Sequence, residues 1–302
     1  MPSLIDYNHT GFEYLSWEKI ALALREGLGL RVEKIDRVDI GHVNQSFFLK
    51  TGGKKLFCKV SPLWYRRSLS RERWCIDRLR SQGLAVPEVV GLIGENNQVI
   101  PGHEILVLEY IEGEMVSRLP VIPCAVWQEI GAIYHSLHSF PMEGFGWLDD
   151  GFVGQKQTWL GFLLDIENLD LCQTISPDLA AVTGCLLAEF QRFDFSYLRQ
   201  GRLLYGDFNL DNFILSPSGQ VYALDFQNCF SGDPLYDFPL AIDRYPSCLD
   251  SIGEISGGQG RLLGLYMLRY LLTRISYFYQ KDESRTNRYL RRFRYISHEL
   301  YG

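Results

Sequence analysis

The sequence has no run of about 18 uninterrupted apolar residues, the minimum for a membrane span. Its start, Met1 to Thr10, lacks the basic and apolar regions of a secretory signal, so a cytoplasmic protein away from membranes is expected. Cysteine is sparse and scattered. Seven residues, without a CxxC pair or a Cys/His cluster, make a disulfide framework and a structural zinc site poor fits. No internal repeat and no low-complexity tract occurs, which excludes solenoids and linker-rich arrays. Positive charge is scarce in the middle: residues 111–253 hold 6 Lys+Arg against 19 Asp+Glu, whereas 1–110 hold 15 against 13 and 254–302 hold 9 against 4. An acidic stretch repels nucleic-acid phosphates, so no nucleic-acid partner is expected. It suits a cationic ligand, although a solvated surface has the same composition.

What is present is an ordinary globular mixture, 46% hydrophobic and 22% charged over 302 residues. The periodicity predicts a helix over Trp17–Leu28, then strands near Val38–Ile40, Ser46–Lys50, Lys55–Val60 and Ile105–Tyr110, with Gly52-Gly53 as a hairpin turn. From Val126 onward the pattern is mostly helical: Trp127–Ser139, Pro177–Phe190 with Ser176 as N-cap, and Leu262–Tyr279. One hairpin interrupts it, Phe213–Leu215 with Val221–Leu224 around Ser216-Pro217-Ser218-Gly219. A strand-rich lobe over 1–111 and a helical lobe over 112–302 follow, divided where Gly113 breaks the apolar run.

Chemistry concentrates around that hairpin. Asp207 and Asn212 stand before its first strand and Asp225 just after its second, so closing the hairpin gathers three oxygen-bearing side chains at one end. Such a set suits Mg²⁺, which takes one or two carboxylates plus phosphate oxygens and water. A carboxylate left free beside the metal can accept a hydroxyl proton, and together these are parts of phosphoryl transfer. Taken singly, the same residues are also ordinary turn and cap formers. The cation that phosphoryl transfer needs falls to Lys59, inside the run Leu56–Val60. A helix after it places Glu72 on the apolar face with Leu69, Cys75, Ile76 and Leu79, where a carboxylate needs a partner. A surface lysine and a surface glutamate remain the plainer alternatives. Between two strands, Ile40-Gly41-His42-Val43-Asn44-Gln45 offers backbone to phosphates.

Tyr205-Gly206-Asp207 through Asn212, then Asp225, then Gly232-Asp233-Pro234-Leu235-Tyr236-Asp237, resembles the pattern of the aminoglycoside phosphotransferase and choline kinase superfamily. The match extends from about Ile35 to about Leu272. Gly144-Phe145-Gly146, Gly154-Gln155 and Thr158-Trp159 are locally similar to hygromycin B phosphotransferase. The resemblance implies an α+β, bilobal protein-kinase-like fold with a small antiparallel-sheet N-lobe and a larger, mainly helical C-lobe. It also implies Asp207 as catalytic base, Asn212 and Asp225 as Mg²⁺ ligands, Lys59 on the nucleotide phosphates and Glu72 orienting it, with Gly41 and Asn44 in the phosphate-facing loop. Glu109 and Ile111 would offer backbone groups to the nucleobase of ATP or GTP, and Asp243 and Tyr245 would line the acceptor site. The acceptor would be the hydroxyl of a small molecule, with aminoglycoside-like and other cationic alcohols among the candidates; monomer and homodimer both fit. Tyr205 replaces the family's usual His, the one feature favouring a pseudokinase that serves as a nucleotide-binding module. Only seven residues lie between Asp225 and Asp233, too few for the activation segment of a protein kinase.

Elsewhere, His135 and His138 share a helix face at metal-like spacing but lack a third ligand nearby, which favours a core or capping role. Asp233 and Asp237 read as turn-bracing residues. The Arg-rich stretch from Arg285 to Arg294, interleaved with aromatics, reads as an amphipathic helix.

Overall fold

A computed structural model describes residues 15–38, 44–62, 68–94, 96–166, 169–245 and 257–301. The chain divides into two compact units. The first comprises residues 1–133 and 209–229. The second comprises 134–208 and 230–302. Among the described residues, no helix is long and apolar enough to cross a membrane.

The first unit opens with α1 (Trp17–Leu28), where the Ser16 hydroxyl accepts the Lys19 N–H at 3.4 Å and so satisfies one of the orphan amides of the first turn. Its sheet is antiparallel, in the order β1 (Lys34–Val38), β2 (Gln45–Thr51), β3 (Lys54–Pro62), β5 (His103–Glu109), β4 (Val89–Ile93). Gly52 and Gly53 close the β2–β3 turn with φ of +55° and +77°, a left-handed pair that side chains resist. Of the expected Val38–Ile40 strand, Val38 ends β1, which begins earlier, at Lys34; Ile40 lies outside the described residues. Ile20, Ala23 and Leu24 of α1 are buried in one cluster with Phe47, Leu49, Cys58, Val60, Ile105 and Val107. Each Ile, Leu, Val or Phe among them contributes roughly 1.5–3 kcal/mol by leaving water.

Helix α2 (Ser68–Ser81) is tied to this sheet through its start. Glu104 of β5 is 2% exposed and accepts the N–H groups of Leu69 and Ser70 at 3.3 and 3.4 Å, together with the Ser70 hydroxyl. A carboxylate meeting the positive end of a helix is favoured by the macrodipole, which here offsets burial of the charge. Two residues past this cap, Glu72 faces β3.

The remaining strands of this unit are β6 (Glu114–Met115), β11 (Phe213–Leu215) and β12 (Val221–Ala223), joined in the order β12-β11-β6. Their hairpin is registered Phe213↔Ala223 and Leu215↔Val221, and the Glu129 carboxylate of α3 (Cys124–Ser139) accepts the Val221 N–H at 2.8 Å.

The second unit holds strands beyond the one hairpin expected in a mainly helical lobe. It carries a five-stranded antiparallel sheet in the order β7 (Pro141–Met142), β10 (Gly201–Leu204), β13 (Phe230–Gly232), β8 (Phe145–Leu148), β9 (Gly154–Lys156). Strands of two to four residues are too short to display alternation in sequence. Around them lie α4 (Trp159–Leu164), α5 (Leu169–Ile175), α6 (Pro177–Arg192), α7 (Phe238–Arg244), α8 (Gly257–Phe278) and α9 (Glu283–Tyr301). Ser176 caps α6 by accepting the Leu179 N–H at 3.1 Å. The core of this unit is aromatic. Trp159 stacks on Phe162 at 4.9 Å and meets Tyr236 and Tyr266 edge-on, and a Cβ at Gly232 would lie 2.4 Å from the Trp159 ring.

Candidate active site

In the first unit, strand β3 and helix α2 bring Lys59 and Glu72 together. The Lys59 ammonium donates to Glu72 Oε1 at 2.7 Å and Oε2 at 2.9 Å, and to Asp225 Oδ1 at 3.1 Å. All three of its protons thereby meet carboxylate oxygens. Burial alone would lower the lysine's pKa; the charges of Asp225 and then Glu72 outweigh it and hold the ammonium above its usual range. Burial pushes the Glu72 carboxyl upward against the pull of Lys59. Glu72 is wholly buried, whereas the Asp225 side chain is 37% exposed.

Asp225 stands two residues beyond β12 in a left-handed backbone conformation, φ +60°. Opposite it in the hairpin, the Asn212 carbonyl accepts the Leu224 N–H at 2.8 Å, so the register sets Asn212 and Asp225 at the same end. Among the described residues no group of three or more His, Cys, Asp or Glu side chains gathers as a metal site. One carboxylate and one amide oxygen fit Mg²⁺, whose remaining positions phosphate and water commonly fill. Glu109, at the end of β5, gives its N–H to the Glu88 carbonyl at 2.8 Å and accepts the Glu88 N–H on its carboxylate at 3.1 Å. Its main-chain carbonyl is then the group it can offer a base. Ile111 is buried, Asn44 immediately precedes β2, and Gly41 lies outside the described residues.

Asp207 belongs to the second unit, half-buried in the segment following β10; between Phe208 and Asn209 the chain passes into the first unit. Asp237 holds this segment. One of its oxygens accepts the Tyr205 N–H at 2.8 Å and lies 2.9 Å from His138 Nε2, and the other accepts the Gly206 N–H at 2.9 Å. Arg244 donates to the Phe208 carbonyl at 3.1 Å. Tyr205 is buried, with its ring edge-on to Tyr134 at 5.7 Å, so the aromatic substitution is packed into the core while the loop is fastened through its backbone. Asp233 caps the turn over Pro234–Asp237 through the Leu235 N–H at 3.0 Å. Its other oxygen accepts the hydroxyls of Tyr197 and Tyr266 at 2.7 and 2.8 Å.

Of the two residues expected near the acceptor, Tyr245 sets its ring 5.8 Å from Phe208, next to Asp207. Asp243 is 4% exposed and ion-paired with Arg292 of α9 at 2.7 Å. The contact is a charge pair without a hydrogen bond. Glu104, Arg244 and Gln227 escape the sequence reading, as does the partner of His138; each bonds to a residue more than 30 positions away along the chain, and no local pattern marks such contacts.

Residues 34–261 match the model of the phosphotransferase enzyme family, APH. Acyl-CoA dehydrogenase family member 11 of Gallus gallus is 26% identical over 235 residues, 71% of this chain and 28% of that protein. Acyl-CoA dehydrogenase family member 10 of Mus musculus is 24% identical over 225 residues, 68% and 20% respectively. The chain thus spans about a quarter of the length of the curated relatives it matches. Among solved structures, a thermostable mutant of aminoglycoside phosphotransferase APH(4)-Ia in ternary complex with AMP-PNP and hygromycin B gives a TM-score of 0.74 at 19% identity, covering 94% of this chain and 99% of that one. A putative fructosamine-3-kinase from Haemophilus somnus 129PT gives 0.64 at 17%, covering 95% and 98%. The fold is that of the aminoglycoside phosphotransferases, a protein-kinase-like fold.

Proposed function

The chain belongs to the phosphotransferase enzyme family, and from that premise we propose that it moves the γ-phosphoryl group of ATP, or GTP, to a hydroxyl of a small molecule. The observation that carries this reading is the contact of one buried lysine with both Glu72 and the half-exposed Asp225, at the end of a hairpin that also bears Asn212.

On this reading the ammonium of Lys59 turns from Asp225 and from Glu72 Oε2 to the nucleotide phosphates while keeping its bond to Glu72 Oε1. Asn212 and Asp225 would hold Mg²⁺, which would supply neutralisation of the charge developing on the phosphates. The carbonyl of Glu109 and the backbone of Ile111 receive the base, and Asn44 with Gly41 borders the phosphates. The carboxylate of Asp207 accepts the proton of the attacking hydroxyl, the O–P bond to the acceptor forms as the β–γ bridging bond breaks, and the nucleoside diphosphate leaves. Tyr245 borders the acceptor. Asp243, committed to Arg292, contributes to a cationic acceptor only if that ion pair opens. Catalysis then rests on placement and charge neutralisation.

The test is nucleotide binding followed by turnover against a panel of hydroxylated amines and neutral alcohols. Mg²⁺-dependent binding of ATP or GTP and acceptor-dependent release of the diphosphate are expected. Asp225→Ala is expected to weaken metal-dependent binding by roughly 100-fold or more. Binding that survives this change intact would move the metal elsewhere. Nucleotide binding with no turnover on any acceptor would favour a nucleotide-binding module.

A further inference from the structure

Two residues beyond Asp225, Gln227 is 5% exposed and bonded at both its polar ends to consecutive residues of α2. Its amide nitrogen donates to Glu72 Oε2 at 3.2 Å, and its main-chain carbonyl accepts from Arg71 Nη1 at 3.1 Å. Arg71 is itself 7% exposed. These contacts, together with the Lys59 bridge, all lie within the first unit and fasten the loop bearing Asp225 to the helix bearing Glu72.

We propose that Gln227 is a positioning residue for nucleotide binding, one that keeps Glu72 anchored when Lys59 turns toward phosphate; the inference rests on the phosphotransferase reading above. Glu72 Oε2 receives two donors, the Lys59 ammonium at 2.9 Å and the Gln227 amide at 3.2 Å. A fully buried carboxylate that loses a donor suffers a desolvation cost with nothing to offset it. The neutral amide stays on Oε2 while the lysine reorients, so Glu72 does not have to reclaim the lysine. Chemistry favours an amide here. A carboxylate at 227 would face Glu72 with like charge, and an ammonium would compete with Lys59 for the same oxygens. The carbonyl bond to Arg71 also secures the backbone just after the left-handed Asp225, which fixes where that carboxylate stands.

The experiment measures MgATP affinity by calorimetry and steady-state constants on the full chain. Gln227→Met keeps the side chain's length and removes its donor. The expected result is a rise of about tenfold in both Kd and KM for MgATP, with acceptor KM unchanged. In a Glu72→Gln background the same change is expected to add less than about twofold, because its partner is already gone. A role in packing alone would lower the melting temperature equally in both backgrounds and leave nucleotide affinity in place. Should the Met variant fail to fold, Gln227→Glu decides; it preserves size and is expected to weaken MgATP more than tenfold. MgATP affinity within about twofold of wild type in the folded variant, or losses that add in the two backgrounds, overturns the proposal. A wild-type chain that binds no nucleotide overturns the phosphotransferase reading and this inference with it. Wild-type binding with an indifferent variant overturns the inference alone.

Discussion

Asp225 in the first unit and Asp237 in the second follow the same hairpin twelve positions apart, yet their surroundings are opposite. Asp237 is buried, and both its oxygens are engaged, by two backbone N–H groups and by His138. Asp225 keeps 37% of its side chain exposed and meets Lys59 through one oxygen. A carboxylate saturated by backbone donors organises the chain; one with oxygen to spare at the surface can take up a metal or a proton. The contrast gives two residues of one type different surroundings.

The comparison breaks most sharply at Asp207. Asp207→Asn is expected to lower turnover about 10²–10⁴-fold while nucleotide affinity stays within a few-fold, as measured by kinetics beside calorimetry. Undiminished turnover would reassign the base.

Next is Asp237. Its change to Ala strands the N–H groups of Tyr205 and Gly206 and the His138 ring, and is expected to cost about 3 kcal/mol or more. Scanning calorimetry would register a fall in Tm on the order of 5–10 °C. MgATP affinity of the folded fraction should hold, because the first unit keeps its own contacts. A stable but nucleotide-blind variant would erase the distinction.

The smallest effect is on pH. Asp225 and Glu72 hold the Lys59 pKa above the usual value, so the lysine's share of stability is fully present below the unfolded-chain value of about 10.4. It is lost only as pH rises through the higher folded value. Affinity for MgATP is expected to be flat from about pH 7 to about pH 9.5, and a break near pH 8 would show that the ammonium is not held this way.

Legibility followed the range over which each feature is encoded. The α2 spacing put Glu72 on the buried face, and the β2–β3 turn was marked by its glycines; both are signals within a few residues. The hairpin end carrying Asn212 and Asp225 was visible because Ser216–Gly219 closes it locally. Glu104 at the α2 start, 34 positions from Ser70, and Gln227, 155 positions from Glu72, have no local cue. The second unit's sheet escaped notice because its strands run only two to four residues. Asp243 was expected at the acceptor site, and its buried pair with Arg292, 49 positions later, has no local cue either.

The two-part make-up of the first unit also governs the order in which the protein can be completed as it is synthesised. Its sheet and helices are encoded by residue 133, but the hairpin over 209–229, with Asn212 and Asp225, arrives only after 75 residues of the second unit have been added. During that interval the emerging chain has Lys59 and Glu72 without Asp225 and Gln227, and the β6 edge lacks its β11 neighbour. An exposed strand edge is a feature that chaperones hold and aggregates exploit. A stalled or truncated product ending before residue 229 is therefore the form of this protein most exposed to misassembly.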